Sequence, residues 1–162
     1  MKKIFLVLIS LCMVLGYASC KRAASPSVTK AEFPFEIVYE IDGEVREVND
    51  VFVCEFDGFG WNESAGENRR WKGYIKSSGE RDLVLLEDGN LKFTVNLGSP
   101  AYYMGDPSMA GVGEYTPKIQ YTQTLESGGV SSGVLDGQSW LSEYNIRLIS
   151  WELSEPIENT FE

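Results

Sequence analysis

Short runs of alternating apolar residues, separated by turns rich in Gly, Asp and Ser, constrain the fold of this chain more than any other feature. In the clearest run, Phe35, Ile37, Tyr39 and Ile41 alternate with a set that is mostly acidic. A period of two is expected of a strand with one buried face. No stretch of ten residues shows the sustained stripe of an amphipathic helix. The sequence therefore predicts an all-β protein.

The turn at Asp42-Gly43 is the strongest hairpin signal, because type I′ turns require positive φ at both central residues. Alternation in the return strand breaks near Asn49-Asp50, which indicates a β-bulge or a change of sheet, and it resumes as far as Phe56. The next residues, Asp57 to Asn68, are glycine-rich and polar, and we expect them to form a loop.

The C-terminal half predicts further strands and two irregular segments. Residues 98–117 contain three prolines and four glycines without a period, and residues 126–139 read as a Gly/Ser-rich turn region. Seven or eight short strands predict an antiparallel immunoglobulin-like β-sandwich over residues 33–162, with a small β-barrel as the alternative. The remaining strands are expected around Arg70 to Lys76, Asp82 to Glu87, Leu91 to Leu97, Ile119 to Leu125, and Tyr144 to Leu153 with a one-residue shift after Leu148.

The first twenty residues have the pattern of an export signal. A basic start, Met1-Lys2-Lys3, precedes an apolar run from Ile4 to Leu15 and a short segment of mostly small residues. That apolar run is too short to span a bilayer core of about 30 Å, which needs about twenty residues. The pattern predicts a cleaved signal peptide over residues 1–19.

The end of this signal, Tyr17-Ala18-Ser19-Cys20, resembles the bacterial lipobox, although an aliphatic residue is more usual at the place of Tyr17. The resemblance implies a lipid on Cys20 and a bacterial lipoprotein anchored on the extracytoplasmic side of the membrane. Residues 20–32 would then be the lipidated N-terminus and a flexible tether. The alternative is cleavage before Cys20, which would release a secreted protein in which Cys20 and Cys54 are free to pair.

The charge of the chain restricts its partners. Loss of Lys2 and Lys3 with the signal leaves twelve of the 14 basic residues against 24 acidic ones, a net charge of −12. Such a balance argues against binding nucleic acid, whose phosphates attract Lys and Arg, and against adsorption to anionic lipid. It favours cations or basic proteins as partners, or serves only to keep the protein soluble.

The residue types present restrict the chemistry. The chain has no histidine, which excludes the usual Ser-His-Asp and Cys-His constellations and removes the commonest zinc ligand. We expect no cofactor, no metal site and no catalytic residue. Cys54 shares a strand face with Phe52 and Phe56 and is expected in the core. The acidic pairs at Glu55 and Asp57 and at Glu87-Asp88 leave a carboxylate-dependent glycan hydrolase as an alternative.

Aromatic residues in the expected loops are the most suggestive functional feature. Rings on loops can stack on sugars or anchor a protein partner, and they can also fold back to cap a sandwich. We therefore expect a non-catalytic binding or adaptor module for a protein or glycan, with a structural role in an envelope complex as a further alternative. The candidate ligand-binding residues are Trp61, Tyr102, Tyr103, Asp106 and Trp140.

Overall fold

The computed structural model describes residues 23–63, 66–135 and 144–162. Its strands form two antiparallel four-stranded sheets, which confirms the predicted sandwich and its number of strands. The expected signal peptide, Cys20 and Trp140 lie outside the described residues. The strands are β1 (Lys30–Ile41), β2 (Glu44–Asn62), β3 (Gly66–Ile75), β4 (Leu83–Asp88), β5 (Leu91–Asn96), β6 (Lys118–Thr124), β7 (Val130–Leu135) and β8 (Ile146–Leu153).

The strand order is β3-β2-β1-β8 in one sheet and β4-β5-β6-β7 in the other. Strands that follow each other along the chain are neighbours within each sheet, and β8 returns to pair with β1. Among the described residues no strand ladder joins the two sheets, so the molecule is a sandwich and not one continuous sheet. Between β5 and β6 lie a short helix, α1 (Pro100–Tyr103), and a 3-10 turn (Pro107–Met109).

The core lies between the sheets and is built on the alternation of β1. All the apolar residues of that alternation are buried, as the sequence predicts. Tyr39 also joins the sheets through a hydrogen bond from its hydroxyl to the carbonyl of Leu85, at 3.1 Å. The opposite sheet contributes buried side chains from four strands: Leu83, Leu85, Phe93, Val95, Ile119 and Leu135.

β2 differs most from its sequence-based expectation. Its pairing with β1 runs without interruption past Asn49-Asp50, and the irregularity lies between Phe56 and Phe59, where Gly58 has a φ of +80°. The chain from Asp57 to Asn68 is therefore largely strand, and not the expected loop. Beyond Phe56, β2 has passed the end of β1 and pairs with β3 alone. We call this projecting two-stranded part, residues 56–62 and 66–71, the arm.

The C-terminal strands agree only in part with the sequence. The one-residue shift in β8 is confirmed, because its register against β1 changes between Val38 and Tyr39. The region expected to be a turn, residues 126–139, contains β7. β7 is an edge strand in which both valines are exposed and the residues between them are Ser and Gly. Apolar and polar residues therefore do not alternate along it in the way that predicts a strand.

The segment expected to be a tether is largely fixed to the domain. β1 begins at Lys30, and two segments near the ends of the sequence form a short antiparallel pair, residues 25–28 with 159–162, which we call the terminal pair. The amide of Ser25 donates to the carbonyl of Glu162 at 2.7 Å, and the amide of Ser27 donates to that of Thr160 at 2.8 Å. The part of the chain described here contains no helix long and apolar enough to cross a membrane.

Candidate ligand-binding surfaces

Asp106, one of the candidate binding residues, is a buried structural centre. Its carboxylate accepts two hydrogen bonds from the guanidinium of Arg69, at 2.7 and 3.1 Å, and one from the indole nitrogen of Trp71 at 2.8 Å. The backbone amide of Ser108 donates to it as well, at 2.9 Å. The side chain of Asp106 is only 2% exposed. Both carboxylate oxygens therefore accept hydrogen bonds from within the protein and do not face a ligand.

The electrostatics of this pair follow from its contacts. Burial by itself would raise the pKa of Asp106, but the hydrogen bonds from Arg69, Trp71 and Ser108 outweigh it and hold the pKa well below its usual range. The pKa of Arg69 is raised by the same contact. Arg69 also donates to the carbonyl of Ala24 and lies over the ring of Phe161, 4.5 Å from its centroid. One ion pair thus connects the arm, the 98–117 segment and the terminal pair.

The C-terminal tail is packed against the 98–117 segment. The amide of Ile157 donates to the carbonyl of Tyr103, and the side-chain amide of Asn159 donates to the carbonyl of Met104. Gly105 has a φ of +62°, and a Cβ there would lie 2.4 Å from the carbonyl oxygen of Ile157. Only glycine allows both this left-handed backbone and the close approach of the tail.

The two neighbouring tyrosines have different environments. Tyr103 is buried, packs against the rings of Phe33 and Phe52, and donates its hydroxyl to the carbonyl of Leu97 at 2.7 Å. Tyr102 is half-buried and lines a small cleft with Tyr115, Glu114 and other residues. Tyr103 and Asp106 therefore cap the core, whereas Tyr102 remains accessible to a ligand.

Trp61 lies on the arm, and it is 71% exposed. Register with β3 places it opposite Glu67, and places Phe59, which is 38% exposed, opposite Arg69. Behind them Phe56 makes edge-to-face contacts with the rings of Phe59 and Trp71, at 5.2 and 5.4 Å. The arm thus presents two exposed rings, and that of Phe59 packs on the ring of Phe56, which in turn packs on that of Trp71.

A shallow groove of about 280 Å³ lies where β1, β2 and β8 meet. Glu36 of β1 stands between Asn49 of β2 and Glu152 of β8 in the register of the sheet, so all three side chains share one face. Two carboxylates directly opposite each other repel. No basic side chain forms an ion pair with Glu36 or Glu152 among the described residues.

This groove and the tyrosine cleft meet at the end of β8. Leu153 and Ser154 line both of them, and the hydroxyl of Ser154 donates to the carbonyl of Pro34 at 2.6 Å. The cleft itself holds about 10 Å³, room for about one water molecule. Together they form an acidic surface: Glu36 and Glu152 line the groove, and Glu114 and Glu155 line the cleft beside the rings of Tyr102 and Tyr115.

The other groups considered for catalysis are engaged elsewhere. Cys54 is fully buried, and burial raises the pKa of its thiol to about 12, so the reactive thiolate is absent at neutral pH. Glu55 accepts from Lys30 and from the hydroxyl of Tyr74, and these hydrogen bonds lower its pKa. Glu87 pairs with Lys92 at 3.1 Å. Within the described ranges, no three acidic or cysteine side chains gather into a set able to hold a metal ion.

The sequence-based candidates do not form one site. Trp61 lies on the arm and Tyr102 lines the cleft, and no ring contact or shared cavity connects them in the described part of the chain. Sequence reasoning missed Glu36 and Glu152, because their juxtaposition depends on the register of two strands more than a hundred residues apart. Comparison with protein-family models, curated sequences and solved structures gives no match to this chain.

Proposed function

We propose that the protein is a lipoprotein, anchored through Cys20 on the extracytoplasmic side of a bacterial cell membrane, whose sandwich is a non-catalytic binding module. The observation that carries the binding role is the uncompensated pair of Glu36 and Glu152 in the groove. The partner that fits it best is a protein that inserts an Arg or Lys side chain. A glycan partner would stack on the exposed part of Tyr102 at the rim of the adjoining cleft, because the cleft itself holds only about one water molecule.

The chemistry of the groove supports a cationic group. A guanidinium between Glu36 and Glu152 would replace a repulsion by two charge-assisted hydrogen bonds, and Arg presents its donors in a fork suited to this. A volume of about 280 Å³ is slightly below that of typical small-molecule pockets, and suits one long side chain. The net charge of −12 would also draw a basic partner toward this surface.

Binding is tested with an oligo-arginine peptide and a matched pair of variants. Glu36→Gln/Glu152→Gln and Glu126→Gln/Glu158→Gln remove the same net charge, but only the first alters the groove. We expect the first variant to lose calorimetric binding at physiological salt and the second to retain it. Equal weakening in both would show that only the overall charge attracts the peptide, and the groove would not be the site.

The same two carboxylates favour a second candidate, a carboxylate-dependent glycan hydrolase. Such an enzyme needs two carboxylates that flank the scissile bond, and Glu36 and Glu152 are register partners that line one groove. A panel of cell-wall and exported glycans distinguishes the two candidates. Turnover that is lost in Glu36→Gln would support the hydrolase. A wild-type protein that cleaves none of these glycans would rule out the hydrolase for them and favour the binding module.

Anchoring is tested by the intact mass of the protein after detergent phase partitioning. We expect a detergent-phase species that begins at Cys20 and exceeds the mass of the unmodified chain by a diacylglyceryl group. An aqueous species that begins before Cys20, and gains two mass units on reduction, would instead identify a secreted protein closed by a Cys20–Cys54 disulfide.

A further inference from the structure

The arm and the N-terminal segment extend from the sandwich side by side, and the outermost described residue of the segment, Ala23, lies next to the outer part of the arm. Phe56 donates its backbone amide to the carbonyl of Thr29 where β2 passes the start of β1. Farther out, the carbonyl of Ala24 accepts from Arg69, and the amide of Ala23 donates to the carboxylate of Glu67 at 2.8 Å. Since Glu67 is the register partner of Trp61, the chain leaves the domain beside the most exposed ring of the arm.

The length of chain before that point is short. Three peptide units separate Ala23 from Cys20, and fully extended they reach at most about 11 Å. The headgroup region on each side of a bilayer is about 6 Å thick, half the difference between its total and hydrocarbon thickness. A lipid on Cys20 would therefore hold the Ala23 end of the domain against the membrane surface.

We propose that the exposed rings of Phe59 and Trp61 insert into the interfacial layer of the membrane that holds the anchor. This inference rests on the lipid attachment in the proposed function, and it assigns the arm to the membrane and the groove to the partner. Trp is the residue most suited to this layer, because its ring is apolar and its indole nitrogen still finds a polar partner.

Charge near the exit point is consistent with this occupant. Lys21 and Arg22 directly follow Cys20 in the sequence and precede Ala23, so a basic pair lies in the short link although the protein as a whole is acidic. Arg70, on the arm, is also exposed; its guanidinium donates to the carbonyl of Asp57 at 3.0 Å and lies 3.8 Å from the carboxylate of that residue. Basic residues next to an anchor favour contact with phosphate headgroups.

The base of the arm is held by contacts within the protein. Its inner face is braced by the Arg69–Asp106 pair and by the contacts of Phe56 with Phe59 and Trp71. Part of the ordering entropy of Phe59 is therefore lost before it meets the membrane, which lowers the cost of its insertion.

The experiment uses tryptophan fluorescence of the lipidated full-length protein in phosphatidylcholine vesicles whose acyl chains carry bromine near the headgroup. Bromine quenches only rings at that depth. We expect a loss of up to one quarter of the emission, the share of one tryptophan among four. The loss should vanish in Trp61→Phe, and it should persist in Trp151→Phe, the matched control on β8. No loss in the wild-type protein, or a loss that survives Trp61→Phe, would overturn the inference.

A second preparation separates this inference from the anchoring proposal. The chain beginning at Cys20 keeps every described element, and its Cys54 thiol is buried, so a maleimide lipid couples selectively at Cys20. If the native protein carries no lipid but the coupled protein shows Trp61 quenching, the anchoring proposal fails and the arm geometry stands. If the coupled protein shows none, the membrane assignment of the arm fails whatever the native protein carries.

Discussion

Arg69 and Asp106 form a two-point ion pair, with nitrogen-to-oxygen distances of 2.7 and 3.1 Å, between the arm and the segment that closes one end of the sandwich. Both side chains are largely buried, at 14% and 2% exposure. Because Arg69 also contacts Ala24 and Phe161, this pair holds the two chain ends as well. The position of the arm relative to the N-terminus depends on it.

Replacement of Asp106 should strongly destabilise the protein. Asp106→Asn keeps the shape but leaves the guanidinium of Arg69 buried without a counter-charge, and we expect a loss of about 3 kcal/mol in the free energy of unfolding. Urea denaturation measures it. The control is Asp57→Asn, which breaks the exposed pair with Arg70 and should cost less than about 1 kcal/mol. Similar losses in both variants would contradict the structural role of Asp106.

The same carboxylate should make stability depend on acid pH. The pKa of Asp106 is held below its ordinary value of 3.8 in the folded protein, so below that pH the unfolded chain takes up a proton that the folded one does not. Stability from this group is therefore complete above about pH 4 and falls as the pH decreases further. The difference in unfolding free energy between wild type and Asp106→Asn should shrink toward about pH 2.5. A difference that stays constant with pH would show that Asp106 titrates normally.

The adjacent tyrosines should respond differently to loss of their hydroxyls. Tyr103→Phe leaves the buried carbonyl of Leu97 without its donor, and we expect it to cost about 1–2 kcal/mol in unfolding free energy. Tyr102→Phe, one residue away and half-buried, should leave the melting temperature nearly unchanged. Thermal denaturation compares the two. If Tyr102→Phe destabilised the protein as much as Tyr103→Phe, Tyr102 would also belong to the cap.

Removal of one charge from the groove should stabilise the free protein. Glu152→Gln relieves the repulsion with Glu36, and we expect a gain of up to about 1 kcal/mol in unfolding free energy that disappears at high salt. Melting temperatures at low and high salt test this. Glu126→Gln, in the exposed turn between β6 and β7, is the control and should show no such gain. A loss of stability in Glu152→Gln would mean that the two carboxylates do not repel.

Alternation predicted those parts of the fold in which one face of a strand is buried and the other is in water. β1 and β5 meet that condition, and their boundaries differ from the prediction by a few residues at most. The turn at Asp42-Gly43 has positive φ at both residues, as its sequence indicates. In these elements the local pattern and the tertiary environment agree, so the sequence is enough to predict them.

The arm was missed because its strands do not meet that condition. Residues 57–62 pair only with β3 and lie beyond the end of β1. Their sequence alternates glycines with aromatic residues, and not apolar with polar residues, so it does not show the pattern of a strand with one buried face. The burial of Asp106 was missed for a related reason. An acidic residue between glycine and proline reads as a solvated loop, and only the tertiary approach of Arg69 and Trp71 gives its charge a partner.

The terminal pair gives residues 159–162 a role in fixing the segment that leads into β1. Three peptide units separate Cys20 from Ala23, whose amide donates to Glu67 on the arm, and the terminal pair fixes the next residues of the segment. Without residues 159–162, residues 25–28 would lose their hydrogen-bond partners, and the N-terminal segment would be held only by the contacts of Ala23 with Glu67 and of Ala24 with Arg69. If the proposed lipid attachment at Cys20 holds, proteolytic removal of these residues would loosen the segment that connects the anchor to β1, and the domain would be held less firmly against the membrane.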